Sequence, residues 1–486
     1  MPKKLTRRTF LASTSAAAAA LSGATASRLH AAEDAKPAPP PGTFQQSARD
    51  VPIVEEADVV VCGGGPAGVS AAIAAARAGA KTRLIDVGGC LGGIWTAGLL
   101  SWIIDWQNKP GLMQEYVERL DRRGYYKLYG SSAAYDPEQM KLVLEQMCIE
   151  AGVRVRLHTR VVDAAVDDAG RVKLAVTESK SGREAFAGRV FVDCTGDGDL
   201  AARCGCGFDI GRGDVSEKGS DPLGDEHQCQ PMTLIALVAG LDPEEVYPYV
   251  RGLAEPRGEK NPKGRLREAM QRGGHDPSYT VPVLFYLREG LYCLGANHEF
   301  GVSALNAQEI TDATIRARAE VHRLVDGLRS LGGEWRNLQI VATAEHIGVR
   351  EGRRVHGLYE VSTKDILEGA RHEDAVCRTT FCIDVHSLDP KHSKGIEGGH
   401  GRVQPYDVPF RSLVAKDVQG LLLAGRNISG DFLAHSSYRV TGNSVAMGEA
   451  AGTAAAIAAK TNRLPQDVPW AEIAGAIDRV RGKAAG

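Results

Sequence analysis

No run of eighteen or more apolar residues occurs in the 486-residue sequence, so no bilayer-spanning helix is expected. C-x-x-C and H-E-x-x-H spacings are also missing and the thirteen histidines are dispersed, so no metal site is expected. Charge of one sign is not in excess either, since 58 basic and 60 acidic residues give a formal charge of −2. That balance lacks the basic surplus of a nucleic-acid binder, and no nucleic-acid partner is expected. No internal repeat is evident, and the ten cysteines are too scattered for the disulfide framework of a small secreted domain. Cys62 and Cys194 sit inside apolar segments as small core residues do, and the close pairs are Cys204 with Cys206 and Cys377 with Cys382.

What is present in surplus is glycine, at 56 residues, above the roughly 7% of an average protein. Glycine concentrates where backbone must come close to something, which suits a protein built around a ligand. Hydrophobic residues at 43% and charged residues at 24% describe a globular chain, long enough for about three domains of ordinary size.

Residues 1–32 read as an export signal rather than as part of the fold. Lys3, Lys4, Arg7 and Arg8 form a basic start, 10–21 an apolar alanine-rich stretch, and Ala24-Thr25-Ala26 a small-residue cleavage site. Thr6-Arg7-Arg8-Thr9-Phe10-Leu11 resembles the twin-arginine signal, whose route carries proteins already folded around a cofactor. An exported protein, periplasmic or extracellular, is therefore expected. Loss of 1–32 removes five basic residues and no acids, which takes the formal charge to −7. Residues 33–52 are polar and proline-rich and read as a disordered linker, with too little apolar surface to fold.

The segment 58–86 carries the clearest chemistry. Val59-Val60-Val61-Cys62 has the length and β-branched content of a buried parallel strand and runs directly into Gly63-Gly64-Gly65-Pro66-Ala67-Gly68. In such a loop Gly63 permits the tight turn, Gly65 lets main chain approach a pyrophosphate, and Gly68 lets the following helix lie against the strand. The alanine-rich stretch 69–79 is a good helix former whose N-terminal amides would face the phosphates, with Gly79 ending it. A second strand at 82–85 stops at Asp86, eighteen residues past Gly68 and near the offset of about 20 expected for an acid that holds a ribose hydroxyl. A glycine pattern alone is weak evidence. Strand, loop, helix and acid together make a dinucleotide-binding unit for an unphosphorylated ribose.

A second glycine-rich turn, Gly88-Gly89-Cys90-Leu91-Gly92-Gly93, again brings backbone near a ligand. Helical patterning at 112–124 and 137–151 precedes short alternating strands at 153–157, 160–166, 172–177 and 189–194, which read as a β-meander joined to the sheet. The last of these enters Thr195-Gly196-Asp197-Gly198-Asp199, a turn at the carboxyl edge of the sheet, where open α/β folds bind ligands. From 207 to 337 the pattern is irregular, with one helical stretch at 312–331, and reads as a separate cap or substrate domain. Strand and turn character then returns and ends in Leu421-Leu422-Leu423-Ala424-Gly425-Arg426 and an alanine-rich helix at 444–460. The expected fold class is α/β. A Rossmann-like domain is assembled from 53–206 and 338–464 with a β-meander insert, beside a smaller cap at 207–337 and a C-terminal tail at 465–486.

With that fingerprint, GGCLGG at 88–93, VDCTGDGD at 192–199 and GLLLAGRNISG at 420–430 in this order, the chain resembles the FAD-dependent oxidoreductases of the glutathione-reductase superfamily. IGVREGRR at 347–354, Asp384-Val385-His386, YDVPFRSL at 406–413 and the block at 424–456 extend the likeness over most of 58–460. The resemblance implies that FAD is the cofactor and that Gly63, Gly65, Pro66, Ala67, Gly68 and Asp86 hold its ADP half. It lays Gly92 and Gly93 along the pyrophosphate, brings Thr96 toward the flavin ring, and sets Gly196 and Asp197 near the cofactor. Gly425 and Arg426, with Asp431, would lie by the ribityl chain and pyrophosphate. Asn443, Ser444 and Val445 would open the last helix, whose N-terminal dipole can stabilise negative charge at the N1 and C2 carbonyl edge of reduced flavin. Asn443 and Ser444 would equally serve as a plain helix cap.

The run Leu433-Ala434-His435-Ser436-Ser437-Tyr438-Arg439 departs from the family's common form, so the substrate does not follow from the resemblance. In one reading His435 exchanges protons and Arg439 anchors a carboxylate or an enolate-like charge, and in the other both structure the loop. Arg350 and Arg354 are expected to pair with acids and His386 to be packed along a strand. The implied activity is hydride transfer between flavin and a small-molecule substrate. Its second electron acceptor or donor is unknown, because no second fingerprint marks an NAD(P)H domain. An NAD-dependent dehydrogenase and a non-catalytic FAD-retaining protein are the alternatives, and the first leaves the block at Gly425 unexplained.

Overall fold

Val59 to Cys62 are completely buried and close the ten-residue strand β1 (Ile53–Cys62), whose earlier half is largely exposed. The structure, a computed structural model, describes Gly42, Phe44 and residues 46–129, 132–213 and 228–482. The expected signal at 1–32 and most of the linker at 33–52 lie outside the described residues. Val51–Gly486 group into one unit by their contacts, and everything below concerns that unit.

After the glycine loop, α1 (Pro66–Arg77) starts with a proline, which has no N–H to leave unpaired at a helix start. Its first ten residues are buried, so an alanine-rich surface lets neighbouring backbones approach from several sides. β2 (Thr82–Ile85), α2 (Leu112–Arg122), α3 (Pro137–Ala151) and the strands β3 (Arg154–Arg156), β4 (Arg160–Val166), β5 (Val172–Ser179) and β6 (Gly182–Asp193) follow. In space the strands run β3-β2-β1-β6-β5-β4. β1, β2, β3 and β6 are parallel where they pair, and β4, β5 and β6 form the antiparallel meander. β6 begins at Gly182 rather than near 189, because its first half pairs with β5 while its second half enters the parallel sheet.

A second sheet is antiparallel in the order β8-β9-β7-β10, built from β7 (Ala236–Ala239), β8 (Val283–Arg288), β9 (Leu291–Gly295) and β10 (Gln339–Thr343). α4 (Ala307–Ser330) packs on it through Leu324, Val325 and Leu328 among others. Three of these strands lie in the stretch that reads as irregular in sequence. β11 (Leu421–Leu423) then returns to the first sheet parallel to β6, and α5 (Phe432–Tyr438) is followed by α6 (Thr441–Thr461), which packs on α1.

The seating of α6 on α1 is decided by two glycines. A Cβ on Gly448 would stand 2.1 Å from Ala67 O, and one on Gly452 would stand 2.0 Å from Ala71 O. Helix separation depends on the side chains at the contact, and at these two positions α6 has none. Eight of the ten cysteines are buried, in keeping with a packing role. No described helix is long and apolar enough to cross a membrane.

Candidate cofactor and active site

The three fingerprint glycines meet three different surroundings. Gly63 has φ +100°, and a Cβ there would lie 2.2 Å from Cys194 O at the end of β6. A Cβ on Gly68 would lie 1.7 Å from Gly63 O, so α1 reaches the strand only through glycine. Gly65 instead faces open space, with no atom within 4 Å of a Cβ built on it. Asp86 ties this loop to the next turn: Gly64 N–H donates to its Oδ2 at 2.5 Å and Gly88 N–H to its Oδ1 at 2.6 Å. Burial raises its pKa even against those two donors, and each oxygen keeps a lone pair for a further donor.

The second turn lies directly against the first. Gly92 N–H donates to Gly64 O at 2.7 Å, and a Cβ on Gly93 would be 3.1 Å from Gly65 Cα. Thr96 is fully buried and its hydroxyl is turned inward, donating to Leu91 O at 2.6 Å.

At the edge of the sheet Asp193 is fully buried and accepts from Thr195 N–H, Thr195 Oγ1 and Ala201 N–H at 3.0, 2.7 and 2.8 Å. This fixes the turn that presents Gly196 and Asp197. Arg426 Nη2 donates to Asp197 Oδ1 at 2.7 Å, and a Cβ on Gly196 would lie 2.6 Å from Arg426 Nη1. A Cβ on Gly425 would be 3.5 Å from Ala67 Cβ, so Gly425 abuts the first turn of α1. Gly63 to Gly68, Gly92 and Gly93, Gly196 and Asp197, and Gly425 and Arg426 therefore converge. Asp431 is committed to the scaffold, with Oδ1 capping α5 at Ala434 N–H (2.8 Å) and Oδ2 accepting from Thr363 N–H.

Helix starts discriminate further. Asp136, Asp242, Asn261, Asn306, Ser362 and Asp431 each cap the helix that follows them. α1 and α6 have neither a side-chain cap nor an acid in the first turn, which leaves their N-terminal N–H groups and positive dipole ends uncompensated. α6 starts at Thr441 after Val440, so Asn443, Ser444 and Val445 lie inside its first turns rather than capping it. Asn443 Nδ2 donates to Tyr438 O at 3.3 Å, while its Oδ1 is buried without a partner. Asn443 precedes Gly448 by five residues, about 7.5 Å along the helix at 1.5 Å per residue, so the two bare helix starts are close neighbours.

Among the described residues, buried polar atoms without a partner gather here too: Asn427 Oδ1 and Arg426 Nε, besides Asn443 Oδ1. His435 is completely buried beside the Arg426 backbone, and burial together with Arg354, Arg439 and Arg426 drives its pKa far down, so its ring is neutral. An extended ligand with an anionic middle and a polar heterocyclic edge matches these groups, and FAD is such a ligand.

Beside the start of α6 lies a second polar cluster. Arg439 Nη2 donates to Asp384 O at 2.8 Å and to Gln230 Oε1 at 3.1 Å, with Asp384 Oδ2 at 3.6 Å. His386 stands 3.4 Å from Asp384 Oδ2 through Nε2 and 3.0 Å from His298 Nε2 through Nδ1. Burial, then Arg350, lowers the His386 pKa to about 3, and although burial opposes it, His386, Arg439 and Arg350 hold the Asp384 carboxyl well below its ordinary range. Arg354 pairs with buried Glu351 at 2.5 Å, as expected. Among the described residues Arg350 pairs with no acid; it donates to Pro231 O and to Thr233 Oγ1 (2.9 Å), and burial with Arg439 nearby lowers its pKa to about 10. His386, expected to be a packing residue, is thus central. Tyr279, His298 and Gln230 carry no sequence signal, since each becomes polar machinery only when the second sheet meets the first.

A family model described as FAD dependent oxidoreductase matches residues 58–477. No curated protein matches the chain. Among solved structures it is similar to a geranylgeranyl bacteriochlorophyll reductase-like protein from Thermoplasma acidophilum, at 12% identity over 88% of this chain and 83% of that one, with a TM-score of 0.45. It is also similar to a flavin-dependent brominase (12% identity, 88% and 84% covered, TM-score 0.42) and to anhydrotetracycline hydroxylase from Streptomyces rimosus (15%, 88% and 67%, 0.39).

Proposed function

The chain belongs to the FAD-dependent oxidoreductase family, and from that premise we propose that it transfers a hydride between FAD and a small organic substrate bound at the Arg350–Arg439 cluster. When bound, FAD supplies the two-electron redox chemistry, and the protein supplies position, charge and exclusion of water. The main chain at Gly65 and the bare first turn of α1 offer N–H groups to the pyrophosphate. Asp86 offers lone pairs to the ribose hydroxyls, and Arg426, held by Asp197, offers its unpartnered Nε. The bare start of α6 stabilises negative charge at the polar edge of the ring system. Arg439 and Arg350 orient an anionic group of the substrate, and their burial keeps that interaction strong.

The observation that carries this reading is the pair of uncapped helix starts brought together by Gly448 and Gly452. The purified protein should show the visible absorption bands of oxidised flavin and release FAD on denaturation. A colourless protein that takes up no added FAD refutes the reading.

Three finer assignments belong with it. Motif order supports membership of the glutathione-reductase superfamily. Tyr279 and His298 reach the cluster from 207–337, which supports a substrate-facing role for that stretch. The basic, apolar and small-residue order of 1–32 supports export, which is tested by fractionation with Arg7 and Arg8 both changed to Lys, expected to leave unprocessed protein inside the cell.

A further inference from the structure

The cluster behind Arg439 also fixes the state of two histidines. A carboxylate only accepts, so Asp384 Oδ2 at 3.4 Å favours the His386 tautomer with its proton on Nε2, which leaves Nδ1 as an acceptor. His298 Nε2, 3.0 Å from that Nδ1, is then the donor, which leaves a lone pair on His298 Nδ1. That atom is buried and has no hydrogen-bond partner among the described residues. His298 is 2% exposed and Tyr279 stacks on it with ring centroids 4.0 Å apart, so the ring is held in place. One carboxylate thus sets two tautomers in series and ends at an unused acceptor.

The same cluster carries surplus positive charge. Among the described residues Arg350 pairs with no carboxylate, and Asp384 Oδ2 lies 3.6 Å from Arg439. Glu351, the other acid at hand, is taken by Arg354 at 2.5 Å. Among the described residues these two buried guanidinium groups thus have one free carboxylate near them, and a further anion would complete the site, because a buried charge without a counter-charge is costly.

We propose that this site takes a small hydroxycarboxylate, with its carboxylate bound by Arg350 and Arg439 and its hydroxyl donating to His298 Nδ1. His298 is the proton acceptor, and His386 and Asp384 are positioning residues. The inference rests on the hydride-transfer reading. On oxidation the substrate C–H bond breaks and leaves with its electron pair as hydride to FAD. The O–H proton passes to His298 Nδ1, and the O–H electron pair becomes the second bond of the new carbonyl. Burial and Arg350 keep His298 neutral beforehand and oppose its protonation, and the bound carboxylate, by offsetting the charge of Arg350, is what would let the ring accept the proton.

The test titrates FAD-loaded protein with glycolate, lactate, malate and 2-hydroxyisobutyrate, the last lacking the hydrogen to be removed, and follows the flavin absorption bands and the melting temperature. Each acid is compared with its amide, and 2-hydroxyisobutyrate also with isobutyrate. At least one acid should bind ten times or more tighter than its amide, and Arg350→Gln should remove that advantage with FAD content unchanged. His298→Gln should keep carboxylate binding but lose the preference for the hydroxyl. Nitrogen NMR on histidine-labelled protein should show His298 Nδ1 unprotonated, and Asp384→Asn should change the tautomers of both rings. A yellow protein that treats acid and amide alike, or a protonated His298 Nδ1, overturns the proposal. A colourless protein overturns the flavin reading instead, while the tautomer measurement, which needs no flavin, still decides the relay.

Discussion

Gly65→Ala separates a cofactor contact from a packing constraint. Gly65 has φ −70° and ψ −175°, a conformation any residue adopts, and its new methyl group would meet nothing within 4 Å. The cofactor-free protein should therefore keep its stability to within about 0.5 kcal/mol, as surface substitutions generally do. The methyl would nevertheless stand on the face that the pyrophosphate must approach. Losing one charge-assisted N–H contact costs about 1.5–3 kcal/mol, or roughly ten- to a hundredfold in FAD affinity. Gly68→Ala is the contrast. Its Cβ would lie 1.7 Å from Gly63 O, whereas ordinary contact begins near 3.4 Å, so α1 or the loop must move and the variant should be destabilised with or without cofactor. Stripped proteins are compared by thermal denaturation and then titrated with FAD by quenching of flavin fluorescence. Wild-type FAD affinity in Gly65→Ala refutes the assignment of this loop to the cofactor.

Three further outcomes follow from the packing and charge described. Gly448→Ala and Gly452→Ala should each cost about 1–3 kcal/mol in thermal denaturation, and both should weaken FAD retention because α6 is pushed off α1. Glu351→Gln leaves Arg354 buried without its carboxylate and should cost about 3–5 kcal/mol, with Glu351→Gln/Arg354→Met recovering part of the loss. His298, His386 and His435 are held neutral by burial, so their folded pKa values lie below the unfolded value of about 6.5. The unfolded chain then binds more protons in acid, and stability present above pH 6.5 is lost as pH falls below it, by up to about 1.4 kcal/mol per pH unit for each ring. His435→Gln should flatten the fall in melting temperature between pH 6.5 and 5, and an unchanged slope counts against a buried neutral ring.

The nucleotide-binding half of the fold is legible because its signals are local. A buried strand, a glycine turn, an alanine helix and a terminal acid lie within 58–86, and the structure builds β1, α1 and β2 from them. Pro137–Ala151 forms a helix over the residues its periodicity marks, with Asp136 as cap. The second sheet is not legible, since Ala236–Ala239 is only four residues long and Val283–Arg288 and Leu291–Gly295, which pair across a short reversal, lie in a stretch of irregular pattern. The site divides in the same way. Gly63, Gly65, Gly68 and Asp86 announce themselves by spacing, whereas His298 and His386 stand 88 positions apart and become partners only in space. Asp431 and Asn443 show the limit of motif reading, since the helix boundaries that decide which residue caps and which lies within a turn are set by tertiary packing.

The glycine seam between α6 and α1 has a bearing on biogenesis. Ala67 and Gly448 are separated by 381 positions, and ribosomes add about 5–20 residues each second. A growing polypeptide therefore displays the alanine flank of α1 for roughly twenty to seventy-five seconds before its counterpart has been translated. Over that interval one wall of the cradle exists without the other, so flavin loading has to wait until α6 has been made, and a chain that stops short of α6 cannot be rescued by supplying more cofactor.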